Sequence, residues 1–212
     1  KNDLPTGCCN ILVSPDGERT MATHIGIGSQ LHPDELTEDS LQGIDHIYME
    51  SYLWDHDLTK QTLKKVGTIA KAMNIETSLS LSDPFCVDRH RDELQSFIEE
   101  YVDLVFCNFD EAKRFAQSET MADVSVFFQS FEKKIAMTTG AEGAYYFHGK
   151  SVAHQPAQKI THVIDTTGAG DNFAAGFLDQ YLLNKTIEEA LAQGNARAAE
   201  VIQQLGPRIK RH

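Results

Sequence analysis

The stretch Asp165-Thr-Thr-Gly-Ala-Gly-Asp-Asn-Phe-Ala-Ala-Gly-Phe-Leu178 joins a glycine-rich turn to an apolar helix. Gly168 and Gly170 carry no Cβ, so the backbone can turn sharply and its N–H groups can approach an anion. Asp171 follows in the first turn of the predicted helix, where its carboxylate could take a proton from an attacking hydroxyl. The neighbouring N–H groups could hold the charge that develops on a transferred phosphoryl group. The segment therefore suits phosphoryl transfer.

A simpler interpretation of the same segment is structural. Thr166 or Thr167 would cap the helix, the glycines would only form the turn, and Asp171 would complement the positive end of the helix dipole. The segment alone leaves both interpretations open.

Strand-like and helix-like segments alternate before this turn. Strands are predicted at Ile44–Glu50, Ile75–Leu81, Val102–Cys107 and Lys134–Thr139. Helices are predicted at Leu58–Met73, Val87–Tyr101, Asp110–Ala116 and Ala122–Phe131, and two more, Gly170–Leu183 and Ile187–Leu205, complete the pattern. Such alternation predicts right-handed βαβ crossovers and a mostly parallel sheet covered on both faces, which is an α/β fold.

Between Gly140 and the glycine-rich turn the pattern predicts an antiparallel hairpin, Gly143–Gly149 with Ser151–His154, and then a strand, Ile160–Ile164. This last strand would lead directly into the turn. Because ligands bind at the carboxyl ends of strands in open α/β sheets, Asp171 would lie at a ligand site.

A second hairpin is predicted near the start of the chain, where Ile11–Met21 contains a Pro-Asp-Gly turn. A two-stranded hairpin is not stable alone. Residues 9–26 are therefore expected to lie on an edge of the main sheet or to act as a lid.

Composition limits the classes of function. The 212 residues carry a formal charge of -12, and no basic run suggests a nucleic-acid partner. No apolar span long enough for a membrane and no signal peptide is visible, which predicts a soluble cytoplasmic protein. The four cysteines lack CxxC spacing, and we interpret them as reduced thiols without a catalytic role.

From Asp165 to Asp171 the sequence resembles, position by position, the C-terminal signature of the PfkB family of ribokinases, fructokinases and adenosine kinases. The resemblance implies one ribokinase-like domain over residues 1–212, a three-layer sandwich with the remnant of a β lid. It implies that Asp171 is the general base, and that Asp165 and Thr167 help to hold a monovalent cation such as K⁺. It also implies an anion hole formed by Gly168, Ala169, Gly170 and Asp171.

The segment Asn108-Phe-Asp-Glu111 resembles the N-x-x-E motif of the family. The resemblance implies that Glu111 acts through water on Mg²⁺ and that Asn108 assists; outer-sphere carboxylates suit this ion, which keeps most of its waters. The alternative is a capping box in which Asn108 begins a helix and Glu111 pairs with it.

Three further parts of the sequence match the family, and each also has a purely structural interpretation. The segment Thr138–Gly143 resembles the part of the family fold that follows the ATP phosphates, which implicates Thr139, Gly140 and Gly143; by itself it predicts only a turn. Asn195 matches a helix position below the adenine, or is a packing residue. Arg19 matches a lid arginine that reaches the transferred phosphoryl group, or is an exposed residue beside a turn.

Two longer strings, Tyr48–Asp55 and Leu81–Arg91, are similar to bacterial adenosine-kinase-like sugar kinases, although Ser51 stands where a glycine is usual. The resemblance extends from Cys9 to Arg208 but covers only the C-terminal part of a family member. The expected molecule is therefore N-terminally truncated, and its exposed sheet edge predicts a homodimer or other self-association.

Together these features predict transfer of the γ-phosphoryl group of ATP, with Mg²⁺, to a hydroxyl of a sugar or nucleoside. A nucleotide-binding module without catalysis is the alternative. A dinucleotide-binding oxidoreductase is a third possibility, but the segment from His24 to Gln30 has only G-x-G and lacks the third glycine of that motif.

Overall fold

The computed structural model describes residues 4–15, 17 and 19–210. Its strands are β1 Thr6–Val13, β2 Arg19–Gly26, β3 His46–Glu50, β4 Glu76–Ser80, β5 Leu104–Asn108, β6 Lys134–Thr138, β7 Ala144–His148 and β8 Ser151–Gln155. Its α-helices are α1 Asp57–Met73, α2 Pro84–Tyr101, α3 Phe109–Ala116, α4 Met121–Ser130, α5 Ala169–Tyr181 and α6 Ile187–Val201. In these ranges no helix has the length and apolar character needed to cross a membrane.

The main sheet has six strands in the order β3-β4-β5-β6-β7-β8. Neighbours from β3 to β6 are parallel, whereas β7 and β8 are antiparallel additions at one edge. The predicted mostly parallel α/β sheet and the hairpin beyond Gly140 are confirmed.

Side chains of each strand alternate between the two faces of this sheet, which produces three layers. On β5, Val105 and Cys107 pack in a core with α1 to α4. Leu104 and Phe106 of the same strand point the opposite way and pack with α5 and α6. The central strand is therefore buried on both faces, as expected for a parallel sheet.

Glycines bring α5 and α6 close together. A Cβ at Gly176 of α5 would lie 2.7 Å from the Gln193 carbonyl oxygen of α6, and a Cβ at Gly194 would lie 2.8 Å from the Phe173 ring. Because α5 carries Asp171 in its first turn, this packing fixes where that residue stands on the sheet.

The first hairpin forms a separate two-stranded antiparallel sheet, with Thr6 opposite Gly26 and Val13 opposite Arg19. It is therefore not an edge of the main sheet, and that alternative is wrong. The tip contacts the glycine-rich turn instead, because the Gly17 carbonyl accepts a hydrogen bond from the Thr166 hydroxyl at 3.1 Å.

The predicted strand Ile160–Ile164 is absent, and that prediction is wrong. The N–H groups of Ile164 and Asp165 donate to the Ile202 carbonyl oxygen at 2.8 and 3.3 Å, so the segment closes the C-terminal end of α6. Helix α6 correspondingly ends at Val201 rather than at Leu205. The backbone N–H groups of this apolar, β-branched segment thus find their acceptor at the end of a helix and not in a neighbouring strand.

Phe177 should contribute strongly to stability. It is fully buried between α5 and the sheet, and its ring meets that of Phe106 edge-on with centroids 5.5 Å apart. Phe177→Ala should lower the free energy of unfolding by about 3–5 kcal/mol in urea denaturation, because it leaves a cavity. Val126→Ala is the control, since Val126 is 68% exposed on α4 and should cost under about 1 kcal/mol. Equal losses in the two variants would contradict this account of the core.

Candidate active site

The carboxyl ends of the parallel strands meet at one rim of the main sheet, and the start of α5 lies at the same rim. Thr138, at the end of β6, lines the same cavity as Ala169 and Gly170 of α5. The negative charge of Asp171 helps to raise the pKa of Glu50, at the end of β3, so the two carboxyl groups are near each other. The structure therefore brings Asp171 to the end of the strands although no strand directly precedes its turn.

Helix α5 begins without a side-chain cap from the described residues. Its N-cap residue is Gly168, which has φ 78°, and a Cβ there would lie 2.7 Å from Pro207 Cβ. Both the left-handed backbone and the close approach require glycine. The interpretation of Thr166 or Thr167 as a side-chain cap is wrong, although the Ala169 N–H donates to the Thr166 carbonyl oxygen at 3.2 Å.

Asp165 holds the turn together. It is 3% exposed, and its Oδ1 accepts hydrogen bonds from the N–H and the hydroxyl of Thr167 at 2.9 and 2.5 Å. Its Oδ2 accepts from the Gly206 N–H at 2.9 Å. The Thr167 hydroxyl, followed by these N–H donors, lowers the pKa of Asp165, so this residue stays ionised.

Asn108 and Glu111 form a complete capping box at the start of α3. The Asn108 N–H donates to Glu111 Oε2 at 2.9 Å, and the Glu111 N–H donates to Asn108 Oδ1 at 2.9 Å. The Asn108 side-chain amide also donates to Glu111 Oε1 at 2.7 Å. The structural alternative for this pair is thus realised, and a metal role is an additional proposal.

Burial raises the pKa of Glu111 to about 7, and the nearby charges of Asp83 and Glu50 act in the same direction. The Asn108 N–H opposes this shift. Glu111 lies in the first turn of α3, and a buried carboxyl group with a raised pKa is a frequent feature of functional sites.

Glu50 and Ser82 are functional candidates that the sequence did not reveal. The Ser82 hydroxyl donates to Glu50 Oε2 at 2.7 Å, and Ser82 has φ 63°, in the left-handed region. Burial, followed in smaller measure by the charge of Asp171, raises the pKa of Glu50. Glu50 stands in the Glu-Ser-Tyr string, but a single acidic residue at a strand end gives no local signal of its role.

A cavity of about 680 Å³ lies between the β6–β7 connection, α5 and α6. Gly140, Gly143, Ala169, Gly170 and Asn195 all line it. Three of the predicted nucleotide-binding residues, Gly140, Gly143 and Asn195, therefore share one cavity with Ala169 and Gly170 of the predicted anion hole, whereas Asn108, Glu111 and Thr139 are outside its lining.

Two predicted residues are committed mainly to backbone contacts. The Thr139 hydroxyl donates to the Gly143 carbonyl oxygen at 3.0 Å, and Thr139 is outside the lining of the cavity. The Asn195 amide donates to the carbonyls of Gln155 and Pro156 at 2.9 and 3.2 Å. Asn195 is thus a satisfied packing residue that also faces the cavity.

A second cavity of about 1160 Å³ lies under the first hairpin, between Arg19 and Thr23 on one side and Tyr52, Ser82 and Asp83 on the other. The Arg19 guanidinium donates from Nη1 to the Thr166 hydroxyl at 2.7 Å. Thr166 lines the first cavity and Arg19 lines the second, so their hydrogen bond marks the point where the two cavities approach each other.

No group of three or more His, Cys, Asp or Glu residues in the described part of the chain is arranged to hold a metal ion. The four cysteines are free; Cys8 and Cys9 are exposed, whereas Cys86 and Cys107 are buried.

Glu111 should make stability depend on pH. Because the pKa of Glu111 is about 7 in the folded chain and 4.5 for the free group, the folded state binds this proton more tightly. Its contribution to the free energy of unfolding therefore falls as the pH rises from about 4.5 to about 7 and is constant above that. The difference in the free energy of unfolding between Glu111→Gln and the parent chain should therefore shift in favour of the variant by roughly 3 kcal/mol between these two pH values. Urea denaturation at each pH measures it.

Asp110→Asn is the matched control for that measurement. Asp110 is exposed in the same first turn and pairs with Lys113 at 2.9 Å. Hydrogen bonds lost in Glu111→Gln would lower its free energy of unfolding by the same amount at every pH and would leave the pH dependence unchanged. If the free energies of unfolding of both variants had the same pH dependence as that of the parent chain, burial of the Glu111 charge would not cause that dependence.

Comparison with known proteins identifies relatives of this chain. Residues 1–211 match the model of the pfkB family carbohydrate kinases. The crystal structure of adenosine kinase from Sinorhizobium meliloti is 36% identical with a TM-score of 0.92, and the match covers 96% of this chain and 63% of that one. A probable sugar kinase from Rhizobium etli CFN 42 is also 36% identical, with a TM-score of 0.93 over 98% of this chain and 64% of that one.

Among curated proteins, adenosine kinase from Saccharomyces cerevisiae is 26% identical over 98% of this chain. The chain spans 64% of the length of that relative. The ribokinase-like α/β fold expected from the glycine-rich turn is confirmed by these structures. The chain belongs to the pfkB carbohydrate kinase family.

Proposed function

We propose that this chain carries the phosphate-handling part of an ATP-dependent kinase that phosphorylates a hydroxyl of a sugar or nucleoside. The observation that carries the proposal is the meeting of two cavities at the Arg19–Thr166 hydrogen bond, beside the start of α5. A nucleotide in the first cavity and an acceptor in the second would face each other there. Relatives named adenosine kinase and probable sugar kinase support both classes of acceptor.

In the proposed reaction, the carboxylate of Asp171 takes the proton from the acceptor hydroxyl. The hydroxyl oxygen then forms a bond to the γ-phosphorus while the bond to the β-phosphate oxygen breaks, and ADP leaves. Asp171 is exposed in the first turn of α5, so a substrate can reach it. General-base catalysis of this kind typically contributes about 10² to 10⁴-fold.

Stabilisation of the developing negative charge is assigned to the N–H groups of residues 168–171. They stand at the positive end of the α5 dipole and lack a side-chain cap from the described residues. Arg19 adds a guanidinium whose planar fork suits a phosphoryl group, and its contact with Thr166 holds it beside the turn. Loss of one such donor typically costs on the order of 10² to 10³ in turnover.

The ATP site is assigned to the 680 Å³ cavity. Gly140 and Gly143 would let the β6–β7 connection approach the nucleotide, since both have positive φ, 60° and 103°. Thr139 would shape this connection, and Asn195 would hold the wall opposite. These roles follow from the backbone contacts that each residue makes.

The residues of the rim fit a magnesium ion bound through water. Both Glu111 oxygens accept hydrogen bonds from Asn108, so they suit an outer-shell role better than direct coordination. Glu50 offers a second carboxylate at the same rim. Bound Mg²⁺ would neutralise charge on the ATP phosphates. We assign Asp165 and Thr167 to a K⁺ site, for which the buried, ionised Asp165 supplies the negative charge.

The alternative is a nucleotide-binding module that performs no transfer. Calorimetric titration with Mg-ATP, paired with a transfer assay over sugars and nucleosides, separates the two. Binding with transfer supports the kinase, and binding without transfer supports the module.

Asp171→Asn should keep its affinity for ATP and lose at least about a hundredfold in turnover, because the amide cannot accept the hydroxyl proton. Turnover is measured by ADP release with the acceptor that gives the highest rate, and affinity by calorimetry. Asp179→Asn is the matched control, since Asp179 is exposed near the far end of α5. Near-normal turnover of Asp171→Asn would overturn the assignment of the base.

We also propose that the chain self-associates. Leu12 is 73% exposed and Met21 is 51% exposed on the first hairpin, and β3 forms one edge of the main sheet. Light scattering should show a species larger than the 23.6 kDa chain, and Leu12→Ser should reduce it because it removes apolar surface. Val126→Ser, at an equally exposed site on α4, should have no effect. A strictly monomeric parent chain would contradict the proposal.

A further inference from the structure

One wall of the 680 Å³ cavity is formed by residues 156–165, here called the wall segment. Its start is held by the Asn195 amide, which donates to the Pro156 carbonyl at 3.2 Å, and by close approach to Gly143, where a Cβ would lie 2.6 Å from the Ala157 nitrogen. Its end is held by the Ile202 carbonyl, which accepts from the Ile164 N–H at 2.8 Å. Although the segment has no regular structure, both of its ends are fixed beside the cavity.

Among the described residues, Lys159 of the wall segment is the one charged residue in the cavity lining. Lys159 faces a lining made otherwise of glycine, apolar residues and neutral polar residues such as Thr138, Gln158 and Asn195. Lys159 is exposed, and no ion pair or hydrogen bond joins its ammonium to a residue in the described ranges. Lys159 therefore lines the cavity without an ion pair to the part of the chain that the structure describes.

This placement favours an anionic ligand over a neutral one. The whole chain carries a formal charge of -12, so a cation that faces a cavity is not explained by the overall composition. The same cavity is lined by Ala169 and Gly170, at the positive end of the α5 dipole. Lysine has a flexible four-carbon stem and three donors, which suit a phosphate as a mobile point charge.

We propose that Lys159 contacts the polyphosphate chain of the bound nucleotide. This inference rests on the proposed function and adds a binding residue that lies outside every motif of the sequence. Lys159 would strengthen binding of ATP and ADP through charge, and it would contribute little to a ligand that has no phosphate.

The test is calorimetric titration of the 212-residue chain with ATP, ADP, AMP and adenosine. Lys159→Met keeps most of the apolar stem and removes the charge, whereas Lys159→Arg keeps the charge. Lys150→Met is the matched control, because Lys150 is exposed in the β7–β8 turn and outside the cavity lining. Each protein is measured at low and at moderate salt.

Lys159→Met should weaken ATP binding by about five- to tenfold at low salt, an effect limited by the exposure of the side chain. The loss should shrink at moderate salt, because screening weakens exposed charges, and it should be absent with adenosine. Lys159→Arg and Lys150→Met should bind ATP nearly as the parent chain does.

Two results would overturn the inference while leaving the proposed function intact. In the first, the parent chain binds ATP and Lys159→Met binds it equally well. In the second, Lys159→Met loses the same factor for adenosine as for ATP, which would make Lys159 an apolar contact. A parent chain that binds none of the four ligands would overturn the proposed function itself, and this inference with it.

Discussion

The buried carboxylate of Asp165 is the constraint on which the rest of the site depends. It receives the N–H and hydroxyl of Thr167 and the N–H of Gly206, so one side chain joins the turn before α5 to the segment after α6. With Thr167 held in this way, Gly168 can adopt its left-handed conformation against Pro207 and begin α5. The glycine-rich turn therefore links the start of α5 to the segment that follows α6.

The sheet supplies the second requirement, a common rim for groups that are far apart in sequence. Parallel strands end at the same edge, so Glu50 and Asn108, which end β3 and β5, are brought to the same rim as Ser82, which follows β4. Burial at this edge explains why the carboxyl groups of Glu50 and Glu111 have raised pKa values. The charge of Glu50 raises the pKa of Glu111 further, and that of Asp171 does the same for Glu50.

Most of the α/β framework could be predicted because alternating apolar periods reflect burial on the faces of a sheet. The segment 160–164 was mispredicted as a strand because its apolar, β-branched residues fit a strand pattern. Its backbone instead bonds to the carbonyl oxygen that follows α6, a contact that the local sequence does not indicate. Asn108 and Glu111 could not be assigned to a single role from sequence, since the same spacing serves a capping box and a metal motif. Glu50 was missed because its importance comes from neighbours more than thirty residues away, such as Ser82.

The contact between the first hairpin and the turn has a thermodynamic consequence. Gly17 and Arg19 both contact Thr166, so the arrangement of the hairpin and that of the glycine-rich turn are not independent. If an anion at the turn favours one position of the hairpin, closing the hairpin must favour that anion by the same free energy. Occupancy of one cavity would thus affect the other through the contacts that the hairpin makes with Thr166.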